Sequence, residues 1–303
     1  MPVPAQNQQY ENFIIRYKQN THGGFDYESD ETFQIVNDLF GILYVPMQEV
    51  PELELSSYSY SSIPRCYTYM DTGALSTSGV TRLHNHPYLK LQGKGTLVAV
   101  IDSGIDYLHP AFHNGVQSKI FSIWDQTLEG GADGRIPFGR EFGRQQIEQA
   151  LASENPWEIV PSSDTNGHGT RSAATAAGYR IEKDNFCGAA PEAEIVIVKL
   201  KQAKNYLRDF YLLPRDIDIF QEDDIMLAIS YVLFIAQEQQ MPLSICIGLG
   251  TSMGAHQGEG PLNEYINSIA AFTQNAVSVP AGNEGTARHH YLREFGPNDT
   301  EDT

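Results

Sequence analysis

The sequence predicts an α/β fold, a parallel sheet with helices on both faces, and three observations carry the prediction. Short, almost wholly apolar runs recur beyond Gly93, as strands buried on both faces require. Helical patterns lie between those runs, and strands alternating with helices join into a parallel sheet through right-handed crossovers. The chain's 303 residues suffice for about two domains and a sizeable core.

The chain up to about residue 85 differs in character from the remainder. Phe13-Ile14-Ile15-Arg16-Tyr17 and Ile42-Leu43-Tyr44-Val45 are β-type runs, separated by a polar, Gly-containing stretch over 19–31. The Ser/Tyr-rich segment 56–62 alternates with little bulk and fits an edge strand or a linker. Alternatively, residues 1–70 form a small α+β module of their own, joined by 71–92 to a main domain over 93–303. In that domain the runs at 96–101 (TLVAVI), 194–200 (EIVIVKL), 243–247 (LSICI) and 276–279 (AVSV) are the expected strands. Small residues at 173–177 make one helix. A second starts at Glu222-Asp223-Asp224, acids that suit a helix N-terminus, and continues through Ile225, Ala228, Ile229 and Val232 at helical spacing. A third spans 262–274. Functional groups in such sheets collect at the carboxyl ends of strands.

Charge and composition exclude several classes. With 20 basic against 38 acidic residues the net charge is −18, so neither nucleic acid nor an anionic membrane is an expected partner. A hydrophobic fraction of 41% with 19% charged residues is that of a globular protein. Cys66, Cys187 and Cys246 are too few and too scattered for a disulfide framework or zinc cluster. The N-terminus shows no signal peptide, and no run approaches a membrane span. A soluble, intracellular protein is expected.

Three strand ends carry chemistry. The first reads Ile101-Asp102-Ser103-Gly104-Ile105-Asp106, with His109-Pro110 after it. A carboxylate there is costly unless paired, although Asp102 alone also fits a loop cap. The second is Asp164-Thr165-Asn166-Gly167-His168-Gly169-Thr170, which sets a histidine between glycines at a helix start; alone it is also an ordinary loop histidine. The third, Val279-Pro280-Ala281-Gly282-Asn283-Glu284-Gly285, ends in an amide that is either a turn residue or a donor to a developing oxyanion.

Together and in this order, the three segments resemble the Asp, His and oxyanion-Asn motifs of the subtilisin-like serine peptidases, whose triad order is Asp, His, Ser. Gly188-Ala189-Ala190-Pro191 is similar to another segment of that family, and Ile247-Gly248-Leu249-Gly250 to its substrate-lining strand. Asp102 and His168 are 66 residues apart, and the stretch between them, with Ile123-Trp124-Asp125-Gln126 and Trp157-Glu158-Ile159-Val160-Pro161-Ser162, resembles the spore-germination Csp-type members, as does the leader Gly79-Val80-Thr81 to Asn85-His86-Pro87. The resemblance implies a prodomain over 1–70, a partial catalytic domain over 93–303 with an insertion at about 113–163, and peptide hydrolysis by an Asp102–His168–Ser triad. It also implies Asn283 in the oxyanion hole, Leu249 and Gly250 against substrate, and partners limited to a protein or peptide substrate and the chain's own prodomain.

Two positions depart from the family pattern: Arg171 where a second His is common and Ala174 where Gly is common. Gly250-Thr251-Ser252-Met253-Gly254 imitates the nucleophile motif, but it precedes Asn283 and follows a strand, so Ser252 is expected to be a cleft loop residue. The nucleophile is then expected beyond residue 303, leaving this chain inactive alone. His109 and His113 have zinc-type spacing without an acidic partner and are expected to be loop histidines. No cofactor is required, and calcium is allowed by the acid-rich loops. The competing reading is a catalytically degenerate subtilase fold serving as a sensor or scaffold.

Overall fold

The computed structural model describes residues 3–17, 32–50, 53, 58–69, 80–84, 86, 88, 90–130, 135–254, 257–272 and 274–283. The polar stretch 19–31 and the tail 284–303 lie outside the described residues. In chain order come β1 (Tyr10–Arg16), β2 (Phe33–Ile35), β3 (Phe40–Pro46), β4 (Cys66–Tyr69), α1 (Val80–His84), β5 (Leu97–Asp102), β6 (Ile120–Asp125) and β7 (Arg140–Gly143). Next are α2 (Arg144–Leu151), α3 (Pro156–Ile159), α4 (His168–Ala177), β8 (Glu194–Lys199), α5 (Asn205–Phe210) and β9 (Phe220–Gln221). The remainder is α6 (Glu222–Gln239), β10 (Leu243–Ile247), β11 (Leu249–Gly250), α7 (Pro261–Ala270) and β12 (Asn275–Ser278).

The main sheet has the order β12-β10-β5-β8-β6-β7, parallel except where β7 joins the edge. This is the predicted α/β fold. The four predicted runs are β5, β8, β10 and β12. At the sheet edge β12 departs from the expectation, with Ala276 and Ser278 exposed. β5 explains why the inner ones had to be apolar. All six of its residues are buried. Leu97, Ala99 and Ile101 pack into one core with α6, while Val98 and Val100 pack into another with α4. Successive side chains of a strand point to opposite faces, so one strand feeds both cores. Ile120–Asp125, from the stretch expected to be an insertion, is a member of this sheet; its buried Ser122 hydroxyl is satisfied by the Tyr231 hydroxyl at 2.8 Å. The third predicted helix is shorter than expected. α7 stops at Ala270 because the chain must turn into β12, where Leu243 N donates to Gln274 O and Leu243 faces Asn275.

The two early β-type runs are β1 and β3, in an antiparallel sheet ordered β1-β3-β2. Phe40, Ile42 and Tyr44 share one face and enter the same core as Ile225 and Ile229 of α6. A polar anchor sits beside that apolar contact. Buried Asn12 donates from Nδ2 to Asp223 Oδ2 (2.5 Å) and accepts from Lys204 Nζ at Oδ1 (2.6 Å). The Tyr206 hydroxyl bridges the backbone of Asn12, accepting from its N and donating to its O. Removing the amide leaves a buried cation and a buried carboxylate each short of a partner. Asn12→Ala is therefore expected to cost about 2–4 kcal/mol, read as a lower urea midpoint with unchanged slope.

Candidate active site

Parallel strands end on the same edge of the sheet, and that edge collects the expected groups. Asp102 ends β5, Gly248 follows β10, and Asn283 comes shortly after β12. α4 starts with His168 just after Gly167, whose φ of +79° a side-chain-bearing residue rarely adopts. The helix then lies so close to β5 that a Cβ at Gly169 would overlap the Gly104 carbonyl oxygen. That approach puts His168 against Asp102. His168 Nδ1 donates to Asp102 Oδ1 at 2.8 Å and to Oδ2 at 3.0 Å, and Oδ1 also accepts from Ser103 N at 2.7 Å. Asp102 is wholly buried and His168 6% exposed. A ring held through its Nδ1 proton presents Nε2 as the basic atom, the tautomer a general base needs.

What fixes the pair is Asp164, an acid to which the sequence alone attaches no role. Asp164 Oδ1 accepts from Ser103 Oγ (2.8 Å) and Gly167 N (2.9 Å), and Oδ2 from Thr170 N (2.9 Å) and Thr170 Oγ1 (2.7 Å). Ser103 Oγ in turn accepts from Gly169 N, and Thr170 Oγ1 from Asp106 N. One carboxylate thus ties the loop after β5 to the first turn of α4. Burial by itself would raise Asp164, but its hydrogen bonds from Thr170, Ser103 and Gly167 outweigh burial and hold the carboxyl below the usual range. The clamp's stabilisation is present above the unfolded carboxyl value and is lost as the pH falls through the lowered folded one. Its signal in the sequence was the spacing Asp164-x-x-Gly167-His168-x-Thr170, which suits an acid folded back over a helix start.

Gly248 is a second residue whose part emerges only from the fold. A Cβ there would overlap Asp102 Oδ2 and stand 3.1 Å from His168 Cε1 and 3.2 Å from Ser172 Oγ. The Asp102 carboxylate occupies the space a side chain would fill.

Leu249 and Gly250 form β11, which pairs antiparallel with β4 through Leu249–Tyr69 and Gly250–Thr68. On its other side β4 pairs with β9, giving the sheet order β11-β4-β9. The predicted substrate strand therefore already carries a strand of the same chain, one too short to be read from the sequence. Asn283 lies in an exposed bend. Ser252 and Arg171 are exposed, and Ala174 packs against the core that contains Val98 and Val100. His113 Nε2 bonds Leu108 O and His109 Nδ1 accepts from Ala111 N, local loop contacts in both cases. Among the described residues no group of acidic, histidine and cysteine side chains is arranged to hold a metal ion, and no helix is long and apolar enough to cross a membrane.

Residues 93–211 match the sequence model of the subtilase family. An intracellular serine protease of Paenibacillus polymyxa is 29% identical over 196 residues, 64% of this chain and 43% of that protein. The subtilisin-like protease SBT1.4 of Arabidopsis thaliana is 30% identical over 125 residues, 36% of this chain and 16% of that protein. Among solved structures, the CspB protease of Clostridium perfringens aligns with a TM-score of 0.56 at 29% identity, covering 69% of this chain and 39% of that one. The chain spans less than half the length of each of these relatives.

Proposed function

We propose, with the subtilase domain of residues 93–211 as the premise, that the protein is a serine endopeptidase of the Csp type. The observation that carries this reading is the buried 2.8 Å contact between His168 Nδ1 and Asp102 at the carboxyl edge of the sheet. His168 Nε2 takes the proton of a serine hydroxyl as its oxygen bonds to the substrate carbonyl carbon. It returns that proton to the leaving amine as the C–N bond breaks, and water then releases the acyl group by the same route. Asp102 holds the tautomer and stabilises the imidazolium, and Asn283 donates to the oxyanion. Leu249 and Gly250 pair with substrate by adding a strand.

The serine belongs, in this reading, to a segment following residue 303. Support comes from an open groove of about 570 Å³ beside α4, lined by Val98, Ala176, Ala190, Leu243, Cys246 and Ala276 among others, an apolar bed for a further helix. The strand β4 at β11 supports reading the early residues as a prodomain whose end sits in the cleft as a product would. A fluorophosphonate probe on the full-length protein tests the assignment. Label is expected on a serine beyond 303, and label on the tryptic peptide holding Ser252 would refute it. A protein that takes no label and hydrolyses no peptide would instead favour the sensor or scaffold.

A further inference from the structure

Ser172 stands four residues after His168 in α4, so the two share a helix face. Its side chain is buried, and among the described residues its Oγ has no hydrogen-bond partner. A helical serine commonly bonds the carbonyl four residues back, here that of His168, and Ser172 does not. The hydroxyl instead lies next to Gly248, 3.2 Å from where a Cβ would stand, and that same point overlaps Asp102 Oδ2. On the carboxylate side the donors are uneven. Oδ1 accepts from Ser103 N and His168 Nδ1, whereas Oδ2 has only the longer 3.0 Å share of His168 Nδ1. A buried donor without an acceptor thus faces, across a glycine, a buried carboxylate oxygen short of a donor.

We propose that Ser172 is a positioning residue for the Asp102–His168 pair, its hydroxyl donating to Asp102 Oδ2 in the working protein, directly after a χ1 rotation or through one water. Gly248 is what leaves room for this. The donor comes from the helix that carries His168, so it fixes the carboxylate relative to the imidazole rather than to the sheet alone. Lys199, opposite Asp102 on β8, turns its Nζ to Asp125 Oδ2 (3.5 Å), and two further titratable groups lie beside the pair. Burial, with the Asp102 charge second, pushes the Cys246 thiol of β10 up to about 11, so it stays neutral throughout the working range. Asp164, in the loop before α4, stays ionised there.

The catalytic consequence rests on the peptidase reading, so the test has an arm that needs no activity. The ring titration of His168 is followed by NMR in histidine-labelled full-length protein, with His168→Gln assigning the resonance. Without its extra donor the carboxylate is more basic and favours the imidazolium more strongly. Ser172→Ala is expected to raise the midpoint by about half a unit, while Ser172→Thr, which keeps the hydroxyl, stays at the parent value. In full-length protein Ser172→Ala should move the acid limb of the kcat profile upward in the same sense and lower kcat about tenfold. An unchanged His168 midpoint in Ser172→Ala overturns the proposal, as does a Ser172→Thr protein that shifts as Ser172→Ala does. Parent full-length protein without peptidase activity would count against the peptidase reading and leave the titration result standing.

Discussion

His168→Ala in the full-length protein is expected to abolish peptide hydrolysis and self-processing together. Without Nε2 no group takes the serine proton, and residual turnover falls to what oxyanion donation and binding supply. Losses of a triad base run to about 10⁴- to 10⁶-fold in kcat with little change in KM. The fold should survive. His168 is the first residue of α4, and the clamp that secures this turn uses Asp164, Ser103, Gly169 and Thr170 rather than the imidazole. A far-ultraviolet spectrum close to the parent, with hydrolysis gone, is the expected pair of results, and the urea midpoint falls because buried Asp102 loses its Nδ1 donor. Turnover within tenfold of the parent would remove His168 from the mechanism.

Gly248→Ala should do nearly as much damage by adding one methyl group. The new Cβ would claim the position of Asp102 Oδ2, and neither side yields easily. The strand before it is pinned to β5 through Ile247–Ile101 and the strand after it to β4 through Leu249–Tyr69. The carboxylate, wholly buried and hydrogen-bonded at Oδ1, has to move. A misplacement of about 1 Å in a catalytic group costs about 100-fold, so kcat is expected to drop at least that far. Overpacking of this kind costs about 1–3 kcal/mol of stability. Parent kcat in this variant would show that the carboxylate tolerates displacement.

The sequence made the main sheet legible where the physics is local. Runs such as that at 194–200 are apolar because both faces of β8 are covered. It concealed β4 and β9, strands of two to four residues that exist because each has a neighbour to pair with. β6 was hidden by its mixed composition, since Ser122 and Asp125 look like surface residues until Tyr231 and Ser162 are brought to them by the fold. The same division runs through the site. Asp102 and His168 were visible as strand-end and helix-start motifs, and the fold does bring them together. Asp164, Gly248 and Ser172 were not, because a glycine or serine acquires its meaning only from what crosses it in space.

With β11 as the substrate strand proposed above, β4 has a kinetic consequence. A peptide seeking β11 meets a competitor tethered to the same molecule, and a tether converts affinity into an effective concentration in the millimolar range. At equal intrinsic affinity, a free peptide at about 10 μM would hold about one molecule in a hundred. Occupancy of the cleft is then governed by the departure of Cys66–Tyr69 rather than by the supply of peptide. Cutting the chain near that strand would turn a standing competition into a single dissociation with its own half-life, a delay set by the protein itself.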